Sequence, residues 1–71
     1  MSQWPSTKAR IVYRALLKIG WKHVGQVGSH KKLGHPKFAD SYTWAFGPSD
    51  ELGPKMLARI AKKTGLKPSD L

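Results

Sequence analysis

The sequence predicts an α+β domain in the order helix, three strands, helix (α-β-β-β-α), with two helices on one face of a three-stranded antiparallel sheet. Near each end, an apolar stripe of 3.6-residue period closes on a glycine followed by a large apolar residue, Gly20-Trp21 and Gly65-Leu66, as a helix with its C-terminal stop does. Between them lie three short segments of strand character, separated by Gly28-Ser29 and by a proline-containing connection over residues 35–40.

Residues 2–7 are polar apart from Trp4 and Pro5, which predicts that residues 1–6 form a short flexible arm leading to a helix cap at Ser6 or Thr7. In the first helix Ile11, Val12, Ala15, Leu16 and Ile19 share one side, Arg10, Tyr13 and Arg14 point elsewhere, and Leu17 fits the stripe poorly. Trp21, directly after the stop glycine, is expected to fold back on the last turn. Residues 21–27 read as the first strand, with Gly28-Ser29 as a tight turn that would set His23 opposite Gly34. From His30 to about Gly34 a second strand follows, with His30 and Lys32 on one face and Lys31 and Leu33 on the other; Leu33 marks the core side. Residues 41–46 form the third strand, carrying Tyr42, Trp44 and Phe46 on one face. After a loop over residues 47–51, Gly53-Pro54 opens the second helix with Asp50 and Glu51 near its positive end. Leu57, Ile60, Ala61 and Thr64 make its inner stripe, and Lys55, Arg59 and Lys62 its outer one.

A chain of 71 residues holds a single domain (residues 1–71) with a thin core, and without cysteine it has no disulfide or thiolate site to reinforce it. No apolar run is long enough to span a bilayer, and the opening residues lack the order of a signal peptide, so a soluble, cytoplasmic protein with no membrane partner is expected. The 13 Lys and Arg against 4 Asp and Glu leave a net charge of +9, which predicts a polyanionic partner, nucleic acid before an acidic protein. Anionic lipid fits less well, because neither predicted helix has a free apolar face.

His30 is the residue best suited to chemistry, since imidazole carries protons at neutral pH and Lys31 and Lys32 follow it directly. Taken alone, Gly28-Ser29-His30 is a weak signal, more often that of an exposed residue after a turn than of a catalytic one. His23 and His35 do not join it: the expected register puts His23 roughly 13 Å away along the strands, and alternation sends His35 to the other face. Both read as surface histidines. Three histidines without a nearby carboxylate do not have zinc-ligand spacing, so no metal or other cofactor is expected, and the scattered Asp40, Asp50, Glu51 and Asp70 do not suit a two-metal nuclease. If His30 acts, RNA's own 2′-hydroxyl is the natural nucleophile, with His30 taking its proton and Lys31, Lys32 and backbone N–H groups offsetting charge on the phosphate. The aromatic stripe Tyr42, Trp44, Phe46 is better read as core than as a base-stacking platform. For Lys55, Arg59 and Lys62, a solvated helix face and a phosphate-binding stripe remain equally good accounts.

Three stretches, Leu16-Leu17-Lys18-Ile19-Gly20-Trp21, Gln26-Val27-Gly28-Ser29-His30 and residues 53–66 from Gly53-Pro54 to Gly65-Leu66, together resemble the HicA-type mRNA interferase toxins of bacterial toxin–antitoxin modules. The resemblance covers nearly the whole chain and implies a double-stranded-RNA-binding-domain-like fold. It implies an endoribonuclease acting on mRNA with His30 as the catalytic residue; beside it, Ser29, Lys31, Lys32, Lys55, Arg59 and Lys62 are expected from their position and charge to bind the RNA. It also implies a HicB-like antitoxin that masks the active surface in a hetero-oligomer. Members of that family often carry a further histidine after the third strand, where this chain has Phe46-Gly47-Pro48, and some carry one where it has Lys31. The alternatives are a non-catalytic RNA-binding module of the same fold and, third, an interaction module for an acidic protein.

Overall fold

The computed structural model describes residues 4–71. Its elements are strand β1 (Thr7–Lys8), helix α1 (Ala9–Lys18), strands β2 (Lys22–Val27), β3 (His30–Gly34) and β4 (Tyr42–Trp44), strand β5 (Glu51–Leu52), helix α2 (Pro54–Thr64) and a closing 3₁₀ turn (Pro68–Asp70). The antiparallel sheet β2-β3-β4 has the expected order, and both helices pack on the face that carries Leu33 and Trp44. The fold class is therefore the α+β arrangement expected. A two-stranded ribbon, β1 with β5, was not foreseen. No helix among the described residues is long and apolar enough to cross a membrane.

The ends of the helices decide how the core closes. After α1, Gly20 takes φ +111°, so its N–H reaches the Leu17 carbonyl at 3.2 Å and the Trp21 N–H reaches that of Leu16 at 3.1 Å. This paired pattern satisfies two carbonyls of the last turn and aims Trp21 back into the protein, as expected. Its indole is almost fully buried, and its Nε1–H donates to the Thr64 carbonyl at the end of α2 over 3.1 Å. Thr64 is buried too. Its hydroxyl donates to the Ile60 carbonyl at 2.7 Å and accepts the Leu66 N–H at 3.3 Å, while Gly65, at φ +76°, turns the chain out of the helix. Around this junction Val12, Leu16, Leu33, Leu57 and Ile60 are fully enclosed.

Several local expectations are corrected. Ser6 and Thr7 do not cap α1, which starts at Ala9 because Thr7 and Lys8 are extended and pair with Leu52 and Glu51. That pairing brings backbone carbonyls to the helix start, where the Ala9 N–H donates to the Asp50 oxygen at 2.8 Å and the Arg10 N–H to that of Pro48 at 3.2 Å. Of the arm expected over residues 1–6, residues 1–3 lie outside the described residues, and Trp4 packs against the core. Ile11 is 40% exposed, since the buried stripe of α1 centres on Ala9, Val12, Ala15 and Leu16. The third strand keeps only Tyr42–Trp44 of residues 41–46. Asp50 and Glu51 do not serve the start of α2: the Asp50 carboxylate accepts the Gly47 N–H at 2.8 Å, and Glu51 lies in β5 with its carboxylate 3.2 Å from the Lys8 ammonium.

The Trp21 junction can be tested by urea denaturation. Trp21→Phe keeps an aromatic ring but leaves the Thr64 carbonyl without its donor, and should lower stability by about 1–3 kcal/mol. Trp21→Ala should cost about 3–5 kcal/mol. At Gly20 an added Cβ would lie 2.6 Å from the His35 Nε2 in a backbone conformation that side chains disfavour, so Gly20→Ala should destabilise by more than about 1 kcal/mol.

Candidate functional site

His30 stands at the first position of β3, paired with Val27 across the two-residue turn Gly28-Ser29. Gly28 has φ +61° and, among the described residues, no non-glycine residue has positive φ, so Ser29 is at negative φ and the pair is a type II′ turn, a geometry matched to the twist of a hairpin. No atom lies within 4 Å of where a Cβ at Gly28 would be, so conformation rather than crowding requires glycine there. The Gln26 side-chain amide donates to the Gly28 carbonyl at 3.1 Å and braces the turn. The His30 side chain is exposed and has no hydrogen bond or ion pair among the described residues, so both ring nitrogens are uncommitted.

Alternation then sorts the neighbours. Leu33 is fully buried and Lys31 extends toward the helix layer, its ammonium 4.8 Å from the centre of the Tyr13 ring. His30 and Lys32 therefore occupy the opposite face of the sheet, beside Val27 and Thr43, which pair with them. That face has no helix over it. Val24 and Val27, both more than 60% exposed, lie open on β2. Ser29 is exposed at the turn, and Lys55, Arg59 and Lys62 are exposed on α2, which packs on the other side of the sheet. The fold thus brings His30, Ser29 and Lys32 to one surface and places Lys31 and the α2 cations elsewhere.

His23 is exposed, as expected, but its register differs. A bulge at Val24 shifts the register, so Lys22 rather than His23 opposes Gly34, and His23 pairs with Leu33. Direct pairing puts His23 on the helix side of the sheet, away from His30. His35 is not a free surface residue. It is half-buried against Trp21 and Phe38, with ring centroids at 5.2 and 5.1 Å. Its Nε2 lies 2.8 Å from the Ile19 carbonyl and its Nδ1 accepts the Lys37 N–H at 3.0 Å. A carbonyl can only accept and an amide N–H only donate, so the ring is the Nε2–H tautomer and both nitrogens are committed.

The acids are used locally. Asp50 holds Gly47, Glu51 pairs with Lys8, and the Asp70 carboxylate accepts the Lys67 N–H at 2.8 Å. Among the described residues no three His, Asp or Glu side chains converge. Burial raises the Tyr42 phenol above the usual tyrosine range, which keeps it protonated at neutral pH. Tyr42 and Phe46 are half-buried and Trp44 is buried, the core role expected for that stripe.

A second cationic surface lies among residues the sequence reading did not single out. Arg10, Tyr13, Arg14 and Leu17 share the side of α1 next to Lys31 and Phe46. Their signal in the sequence is the spacing i, i+3, i+4, i+7, a second stripe on a helix whose first stripe forms the core.

Compared with known proteins, residues 9–66 match the family described as the HicA toxin of bacterial toxin–antitoxin systems. No curated protein and no solved structure matches significantly. The matched segment takes in both helices, the sheet and the Gly28-Ser29-His30 turn, and spans far more than half of the chain. The chain belongs to the HicA toxin family, the toxin side of a bacterial toxin–antitoxin module with its cognate antitoxin.

Proposed function

We propose that this toxin is a metal-independent endoribonuclease that cleaves mRNA in the cytoplasm, with His30 as its acid–base residue. The observation that carries this reading is a free imidazole on a braced turn, beside Lys32, on an uncovered sheet face. His30 removes the proton from a 2′-hydroxyl as that oxygen attacks the adjacent phosphorus. The bond to the 5′-oxygen breaks, leaving a 2′,3′-cyclic phosphate, and the departing oxygen takes a proton from His30 or from water. Lys32 and the N–H groups around Ser29 offset the charge that builds on the phosphoryl oxygens. Lys31, Lys55, Arg59 and Lys62 hold flanking RNA on the other surfaces. A HicB-like antitoxin restrains the enzyme by covering the His30 face.

A second reading, an RNA-binding module without cleavage, is favoured by one observation. Lys31 reaches to Tyr13 and Gly47 has no side chain, so neither supplies a second imidazole near the turn.

Purified protein incubated with RNA in excess chelator decides between them, cleavage being expected. His30→Ala should lower the cleavage rate by at least about 10²-fold, as loss of general acid–base catalysis does, while RNA affinity changes only a few-fold. Stability should stay within about 0.5 kcal/mol, because the side chain is exposed. Cleavage at the wild-type rate by folded His30→Ala would remove His30 from the mechanism, and no cleavage by the wild-type protein would leave the binding module. Co-expression with the neighbouring reading frame should yield a complex that melts at a higher temperature than the toxin alone. Recovery of the single chain only would count against the antitoxin.

A further inference from the structure

The groove between α1 and the segment that follows β4 is lined in a way that the cleavage reaction at His30 does not require. It has a volume of about 270 Å³. One wall is the stripe Arg10, Tyr13, Arg14 and Leu17; the other is Phe46 with Pro48, and Lys31 and Trp44 lie between. Leu17 is 44% exposed there, although it is a large apolar residue on a helix that has already buried another stripe.

Two properties point to a ligand. Three cations line the groove and no carboxylate does; among the described residues the one ion pair, Lys8 with Glu51, lies outside it. The floor is aromatic: Tyr13 and Trp44 lie 5.5 Å apart at 57°, Trp44 and Phe46 5.1 Å apart at 75°. The walls are also held in place. The Arg10 N–H bonds to the Pro48 carbonyl at 3.2 Å, and the Asp50 N–H and carboxylate both bind Gly47, at 3.0 and 2.8 Å. A π-surface flanked by cations on a fixed frame suits a nucleotide, whose base stacks while its phosphates are held. An acidic peptide without apolar or aromatic side chains would engage the cations but leave the aromatic floor unused.

We infer that this groove seats one nucleotide of single-stranded RNA, its base against Phe46 and Leu17 and its phosphates on Arg10, Arg14 and Lys31. Lys31 pairs with Trp44 and directly follows His30, so the groove opens at the turn end of the sheet, on the side opposite His30. RNA passing over that end presents one flanking nucleotide to the groove. This assignment extends the proposed cleavage by giving it a binding subsite, but binding in the groove is measurable without cleavage.

The test uses the full chain carrying His30→Ala, with a fluorescently labelled single-stranded octaribonucleotide, and reads anisotropy across a salt series. Arg10→Ala with Arg14→Ala should weaken binding at least ten-fold and reduce the salt slope by about one unit, each phosphate on a single strand contributing about 0.7. Phe46→Leu keeps an apolar contact on Trp44 but removes the π-face, and should weaken binding roughly five-fold or more. Lys37→Ala with Lys67→Ala removes the same charge outside the groove and should change affinity less than three-fold. Circular dichroism of each variant confirms folding. Equal losses from the two charge pairs, or no effect of Phe46→Leu, would overturn the nucleotide site. So would unchanged RNA binding with lost antitoxin binding, which would give the groove to a protein. Loss of RNA affinity in the groove variants, with no cleavage by the wild-type protein, would support the groove and defeat the proposed cleavage instead.

Discussion

The indole of Trp21, buried where both helices end, is the contact on which the rest of this fold depends. A helix leaves its last carbonyls without partners, and in a domain this small two such ends meet beside the sheet. Trp21 answers for both: its backbone N–H closes α1 on Leu16 and its ring N–H closes α2 on Thr64. The ring also packs against His35, Phe38 and Tyr42, so the connection between β3 and β4 is anchored to the same residue. No buried side-chain polar atom among the described residues is left without a partner. In a thin core that economy matters, since one unsatisfied group would remove a large part of a marginal stability.

How much of this was legible depended on whether the cause was local. Gly20-Trp21, Gly28-Ser29, Gly53-Pro54 and Gly65 each encode a conformation within a few residues, and the helix ends, the hairpin and the start of α2 lie where they indicate. The face of Leu33 followed from alternation alone. What was not legible involves distant partners. The cap of α1 comes from carbonyls about forty positions along the chain, so Ser6 and Thr7 offered a false signal. The bulge at Val24 changes the register by one residue and moves His23 to the other side of the sheet; its one local signal is Gly25, a glycine inside a strand, which marks a bulge without fixing its position. His35 looked like a loop residue because its two partners, Ile19 and Lys37, could not both be foreseen from its position. At the candidate site, the separation of Lys31 from Lys32 was legible; the groove beside Tyr13 required the packing of α1 on β4.

Charge is distributed as unevenly as structure. The acids that are engaged stabilise turns and the β1–β5 ribbon, and the exposed Lys8–Glu51 pair contributes little energy. Apart from Lys8, the Lys and Arg side chains of the described residues form no ion pair, and they repel one another over a molecule with a Cα radius of gyration of 11.5 Å. Membership of a toxin–antitoxin family fits this arrangement, because a bound partner can relieve repulsion and cover apolar residues such as Val24 and Val27 together.

The capping of α1 by the Pro48 and Asp50 carbonyls has a consequence for synthesis. During translation α1 emerges early, but the groups that complete its first turn emerge only after the whole sheet, and Thr64, which receives the Trp21 indole, later still. A nascent chain that ends at residue 45 would have the Gly28-Ser29 turn and the closed C-terminal end of α1, but no partners for the first turn of α1 and no α2. Tertiary structure that joins segments about forty positions apart in sequence forms only once the later segment has been made. The first turn of α1 and the Trp21–Thr64 contact are therefore completed only after the sheet that lies between them in sequence has been made.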